Sequence, residues 1–141
     1  MRILFDNNVV LDNLLDRQPF ESVASELMEH VAQGRLDGVL CATTLTTIYY
    51  IASKSRNESY ARSRSYELVR LFDIAPVDKR VLSDAFRIEF TDYEDAVLHE
   101  SAVHAAVDGI VTRDRRGFQN ASLQIYAPDE LAEYLIAQDA G

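Results

Sequence analysis

The chain has 141 residues, enough for one domain with a sizeable core, and at 48% hydrophobic and 26% charged it reads as soluble and globular. Its 14 basic and 23 acidic residues give a net charge of −9, which argues against broad non-specific nucleic-acid binding and suits a chain that holds cations or pairs with a basic partner. No apolar run approaches the roughly 20 residues that span a bilayer, the single cysteine, Cys41, excludes an internal disulfide, and one Cys with three scattered His residues has no zinc-ligand spacing.

Residues 2–6 read as a buried strand that delivers Asp6 to its C-terminal edge. Asn7 or Asn8 is placed to cap a short helix running to about residue 15, and Asp16-Arg17-Gln18-Pro19 breaks it. Over 20–33, Val23, Ala24, Leu27, Met28 and Val31 follow helical spacing, and Gly34 suits a C-terminal cap. Residues 36–42 predict a second strand. The next stretch, TTLTTIYYIA, has strand-like composition, but Leu45, Ile48, Tyr49 and Ala52 repeat helically, so a helix over 44–54 capped by Thr43 or Thr44 is expected. A helix over 57–72 would bury Tyr60, Ala61, Leu68, Val69 and Phe72. A short strand at 74–78 precedes a helix carrying Val81, Leu82, Ala85 and Phe86. Residues 91–107 form the most apolar helix, expected inside. A strand at 109–112, a loop at 113–118, a strand at 124–126 and a helix opening at Pro128 with Leu131, Leu135 and Ile136 complete a single domain over 1–141. Strands alternating with helices predict a parallel sheet with helices on both faces.

On that plan three acids share one edge of the sheet. Asp6 ends the first strand, Asp114 follows the strand GIVT, and Asp95 opens the apolar helix beside Asp92 and Glu94. Clustered carboxylates repel one another until a hard divalent cation sits between them, and Mg²⁺ held this way serves phosphoryl chemistry by polarising phosphate and activating water. Each acid also has an ordinary use: Asp6 as a helix cap, Asp95 with its neighbours as a complement to a helix dipole, Asp114 as a turn residue. Arg113, Arg115 and Arg116 flank Asp114 and are placed either to clamp RNA phosphates or to form a solvated loop. Lys54, Arg56, Arg62 and Arg64 read as a solvated helix face, Tyr49 and Tyr50 as core or partner surface, and His99 and His104 as structural histidines.

FDNNVVLDNLL, TDYEDAVLHESAVHAAVDGIVTRDRRGF and APDELAEYL together resemble a PIN domain over nearly the whole chain, and CATTLTTIYYIA is similar to one branch of that superfamily. The resemblance implies a three-layer α/β/α fold with a central, mostly parallel sheet. It implies Mg²⁺- or Mn²⁺-dependent ribonuclease activity with a 5′-phosphate product and, for many members, the role of toxin in a VapBC-type toxin–antitoxin pair. An antitoxin laid across the cleft and a homodimer are implied too. By position Asp6, Asp95 and Asp114 match the first, third and fourth family acids, and Thr112 matches the hydroxyl of the phrase T-x-D. Thr47 stands where the family usually has a second acid, with Thr43, Thr44 and Thr46 nearby; Asp92 or Glu94 is the candidate replacement.

Two further readings compete. Thr47 favours a PIN-like module that binds RNA or protein without cleaving. A phosphate-receiving α/β domain would need a lysine after a later strand, and none follows Lys79. The lone cysteine and the lack of an export signal lead to a cytoplasmic expectation with no membrane partner.

Overall fold

The computed structural model describes residues 1–140. Five strands, β1 (Arg2–Phe5), β2 (Asp37–Cys41), β3 (Asp73–Ala75), β4 (Gly109–Val111) and β5 (Gln124–Tyr126), form one sheet in the order β3-β2-β1-β4-β5. Every pairing is parallel, so the expected mostly parallel sheet is parallel throughout. The helices are α1 (Asn7–Leu14), α2 (Glu21–Ala32), α3 (Ala42–Ser55), α4 (Glu58–Leu71), α5 (Lys79–Ala85), α6 (Tyr93–His104) and α7 (Pro128–Ala140), with a 3₁₀ turn at Arg116–Phe118.

Period-two alternation in β1 serves both helical layers. Ile3 and Phe5 enter a core with Val9, Val10, Leu27, Ile48, Leu68 and Leu131, which places α1 to α4 and α7 on one face. Leu4, between them, packs with Leu98, Ala102, Ile110 and Phe118, which places α6 on the other. Val81 and Ala85 then seat α5 on α6 against Ala96 and Val97. This is the expected three-layer α/β/α arrangement. Among the described residues no helix is long and apolar enough to cross a membrane.

The ambiguous threonine-rich stretch is helical because Thr44, Ile48 and Ala52 fall on one buried face. Burying Ile48 alone contributes about 2 kcal/mol, more than the whole span of about 1 kcal/mol covered by β propensity. Neither Thr43 nor Thr44 caps this helix; it starts at Ala42 after Cys41, with no side-chain cap. Similarly, α1 is capped by Asp6, whose side chain accepts the Asn7 N–H, rather than by Asn7 or Asn8. Gly34 does end α2, at φ +74°, in the left-handed region that suits glycine. The third strand begins at Asp73, ahead of its expected start. Val69, Leu82, Phe86 and Ile136, expected inside, are exposed. Each lies at the margin of an apolar stripe, where spacing cannot tell the last buried position from the first solvated one. The apolar α6 is buried without a break from Ala96 to Ala102, but it spans Tyr93–His104 rather than 91–107, and Val103 and Ala106 of the stretch expected inside are exposed.

Strand order reverses between β1 and β4, whose register pairs Phe5 with Val111. In open α/β sheets the crevice beyond the strand ends at such a reversal is where ligands bind. Asp6 and Thr112, the residues that follow those two strands, occupy it.

Candidate metal centre

Asp6 is 6% exposed and held on both oxygens. The Asn7 N–H donates to Oδ1 at 2.7 Å and the Thr112 hydroxyl donates to Oδ2 at 2.8 Å. The Thr112 hydroxyl also accepts the Asp114 N–H at 2.9 Å, so one fully buried threonine couples the ends of β1 and β4. Asn8 bridges the same strands, its Nδ2 lying 3.4 Å from Asp6 Oδ2 and 3.4 Å from Thr112 Oγ1. Burial pushes Asp6 above the usual carboxylate range, with Asp114 and Glu94 adding repulsion; the bonds from Thr112 and Asn7 oppose this.

Asp95 arrives from the first turn of α6. Asp92 caps that helix, its Oδ1 accepting the N–H groups of Glu94 at 2.8 Å and Asp95 at 3.2 Å. The Asp95 carboxyl is pushed up to about 7, first by desolvation and then by the charges of Asp6, Asp92, Asp114 and Glu94. Asp114 completes the set from the loop after β4, its Oδ1 accepting the Gly117 N–H at 3.1 Å.

Gly117 bounds the space between two of the acids. A Cβ there would lie 2.8 Å from Asp114 Oδ2 and 2.9 Å from Asp95 Oδ2. Both carboxylates therefore flank one small space that only the bare glycine leaves free. The cleft, about 250 Å³, is lined by Asp6, Asp92, Glu94, Asp95 and Asp114, with Asn7, Asn8, Thr43 and Thr44. No Lys or Arg among the described residues lines it. An all-oxygen donor set with this excess of negative charge fits a hard divalent cation.

Of the expected residues, Asp6, Asp95, Asp114, Asp92 and Glu94 all reach the cleft, and Thr112 bonds to one of them. Thr47 is not among its lining residues; its hydroxyl donates back to the Thr43 carbonyl at 3.2 Å, and it is Thr43 and Thr44 that face the cleft. The arginines divide. Arg113 makes a two-pronged ion pair with buried Asp12, at 2.6 and 3.1 Å, and lies 3.9 Å over the Phe20 ring. Arg115 pairs with Glu130 at 2.8 Å. Arg116 is exposed and has no ion pair among the described residues. His99 is structural, as expected: its Nε2 accepts the Ser122 N–H at 3.1 Å, so the ring is neutral with its proton on Nδ1, which donates to Glu100 at 3.2 Å. Asn8, Asp12 and Gly117 play parts in this arrangement that the sequence did not reveal. Asn8 was expected only as a helix cap, Asp12 stood in the N-terminal motif without a role, and Gly117 had only its place after the arginines as a signal.

Residues 2–116 match the PIN domain family. A curated relative, Ribonuclease VapC1 of Aquifex aeolicus, is 22% identical over 137 residues that cover 94% of each chain. Among solved structures, VapBC2 from Rickettsia felis bound to a promoter DNA fragment superposes with a TM-score of 0.71 at 12% identity, covering 90% of this chain and 98% of that one. A toxin–antitoxin complex from Klebsiella pneumoniae gives 0.65 at 20% identity, covering 89% and 97%. At these identities the structural likeness shows a shared fold.

Proposed function

The chain belongs to the PIN domain family, and from that premise we propose that it is a divalent-metal-dependent endoribonuclease of the VapC toxin class. The observation that carries the reading is the meeting of Asp6, Asp95 and Asp114 at the reversal of strand order, in a cleft without a cationic side chain among the described residues. Asp6, Asp95 and Asp114 would hold Mg²⁺ or Mn²⁺, and Glu94 is the better of the two candidate replacements for the missing acid. Asp92 spends Oδ1 on the start of α6, whereas the Glu94 carboxylate accepts no hydrogen bond among the described residues. When bound, such an ion supplies Lewis-acid activation of water and of the scissile phosphate. Thr112 aims Asp6 and favours its ionised form against the effect of burial, and fixes the backbone that presents Asp114. Arg116 is the free cation proposed to meet the RNA backbone; Arg113 and Arg115 are engaged by Asp12 and Glu130. The reaction is hydrolysis of an RNA phosphodiester without use of the ribose 2′-OH, leaving a 5′-phosphate. The Klebsiella pneumoniae neighbour is a toxin–antitoxin complex, which supports an antitoxin partner here, and the −9 charge suits a basic one.

The test is cleavage of an RNA pool by antitoxin-free protein with Mg²⁺, Mn²⁺ or a chelator, for wild type and Asp6→Asn. Cleavage that needs the metal and Asp6 supports the reading. A second reading, an RNA-binding module without catalysis, is favoured by the threonines Thr43 and Thr44 on the α3 side of the cleft. It expects RNA binding in chelator and no cleavage in any metal.

A further inference from the structure

Away from the cleft, α5 and α6 bring a second group of ligating side chains together. Asp84 of α5 and Glu100 and His104 of α6 each offer one ligand atom, and these atoms lie within 4.8 Å of one another. Glu100 and His104 stand four residues apart, on one helical face, and α5 packs against that helix through Val81 and Ala85. His104 Nε2 is 2.9 Å from Asp84 Oδ2. None of the three lines the acidic cleft.

Glu100 is the informative member. It is 8% exposed, and its Oε1 accepts a hydrogen bond from His99 Nδ1 at 3.2 Å. The backbone N–H of Ser122 donates to the other nitrogen of His99, so that ring is neutral and orients Glu100 without cancelling its charge. Oε2 has no hydrogen-bond partner among the described residues. The Glu100 side chain, 11% exposed, thus sits beside a second carboxylate with one oxygen that no protein donor engages among the described residues. Arg87, the other cation near this group, is 4.0 Å from Asp84 Oδ1 and 81% exposed, where water screens its charge. Two carboxylates and an imidazole converging from two helices, one of them oriented by a neutral histidine behind it, match the donor set and supporting contact of a divalent-metal site.

We propose that Asp84, Glu100 and His104 form a second divalent-metal site that takes Zn²⁺ and ties α5 to α6. The imidazole suits Zn²⁺ rather than Mg²⁺, and three protein ligands leave the fourth position to water. The site is separate from the acids of the cleft and does not depend on the proposed ribonuclease reading.

The experiment removes the cleft as a competitor. A protein carrying Asp6→Asn, Asp95→Asn and Asp114→Asn is stripped with chelator, loaded with Zn²⁺, passed through a desalting column and analysed for metal. About one Zn²⁺ per chain is expected, with Co²⁺ in its place giving visible absorption shaped by nitrogen ligation. Adding His104→Ala should weaken retention by about tenfold or more, since losing a ligand costs at least as much as losing a supporting contact. His104 is exposed, so this variant keeps its circular dichroism spectrum and melting profile; Glu100→Gln is the buried companion, read against the same controls. Failure of the cleft-free protein to retain Zn²⁺, or equal retention after His104→Ala in a folded protein, overturns the proposal.

Discussion

Asparagine in place of Asp95 should stabilise the protein in chelator at pH 8. In the folded state this carboxyl is pushed from 3.8 to about 7, first by desolvation and then by Asp6, Asp92, Asp114 and Glu94. A displacement of that size would correspond to roughly 4 kcal/mol for a fully buried group. Asp95 is half-buried, so screening reduces this to about 1–2 kcal/mol, and loss of a favourable charge in the first turn of α6 returns about 0.5. The net gain of about 1 kcal/mol raises the melting temperature by about 3 °C. The sign follows from linkage. The folded state holds the Asp95 proton more tightly than the unfolded chain, so ionising it costs wild-type stability as pH rises through the interval from about 4 to about 7. The advantage of Asp95→Asn should therefore vanish below about pH 3, where both states are protonated, and be complete above about pH 7. Thermal melts of the two proteins in chelator across that range measure it. A variant equal to or less stable than wild type at pH 8 would refute the placement of Asp95 among the other acids.

Other substitutions test separate parts of the site. Gly117→Ala should fold normally, since the backbone there is not left-handed, yet lose most of its Mg²⁺-dependent melting shift, because the new Cβ displaces the carboxylates of Asp95 and Asp114. Thr112→Val removes a donor from Asp6 and an acceptor from the Asp114 N–H, which should cost about 1–3 kcal/mol by denaturant melt. It should also move the pH midpoint of metal binding upward, since the Thr112 bond opposes the burial that raises Asp6. Asp12→Asn leaves the Arg113 guanidinium without its carboxylate and should lower stability by about 2 kcal/mol, read as a lower urea midpoint with an unchanged slope.

The parts of this molecule that were legible in sequence are those whose cause is local. The run Ile3-Leu4-Phe5 ahead of Asp6, the unbroken apolar stretch of α6 and the phrase Thr112-Arg113-Asp114 each carry their own periodicity or spacing, and the parallel alternation then brings their ends to one edge. What was not legible depends on partners far along the chain. Arg113 looked free for RNA because Asp12, which engages it, lies 101 residues away. Gly117 read as a loop glycine, since only packing against Asp95 gives it a purpose. Asp6 was weighed as either a cap or a ligand, whereas its Oδ1 serves the start of α1 and its Oδ2 faces Thr112. Thr43 and Thr44 face the cleft because α3 starts at Ala42, a boundary that a β-branched run conceals.

If Asp6, Asp95 and Asp114 bind one hard cation as a unit, Mg²⁺ titration followed by thermal melting will show it. Mg²⁺ avoids competition from the imidazole-containing group on α5 and α6. Wild type should gain melting temperature with Mg²⁺ concentration, as a ligand of the folded state must cause, while Asp6→Asn, Asp95→Asn and Asp114→Asn should each stay flat from their own starting values. A wild type that stays flat at millimolar Mg²⁺, or variants that shift as wild type does, would contradict it.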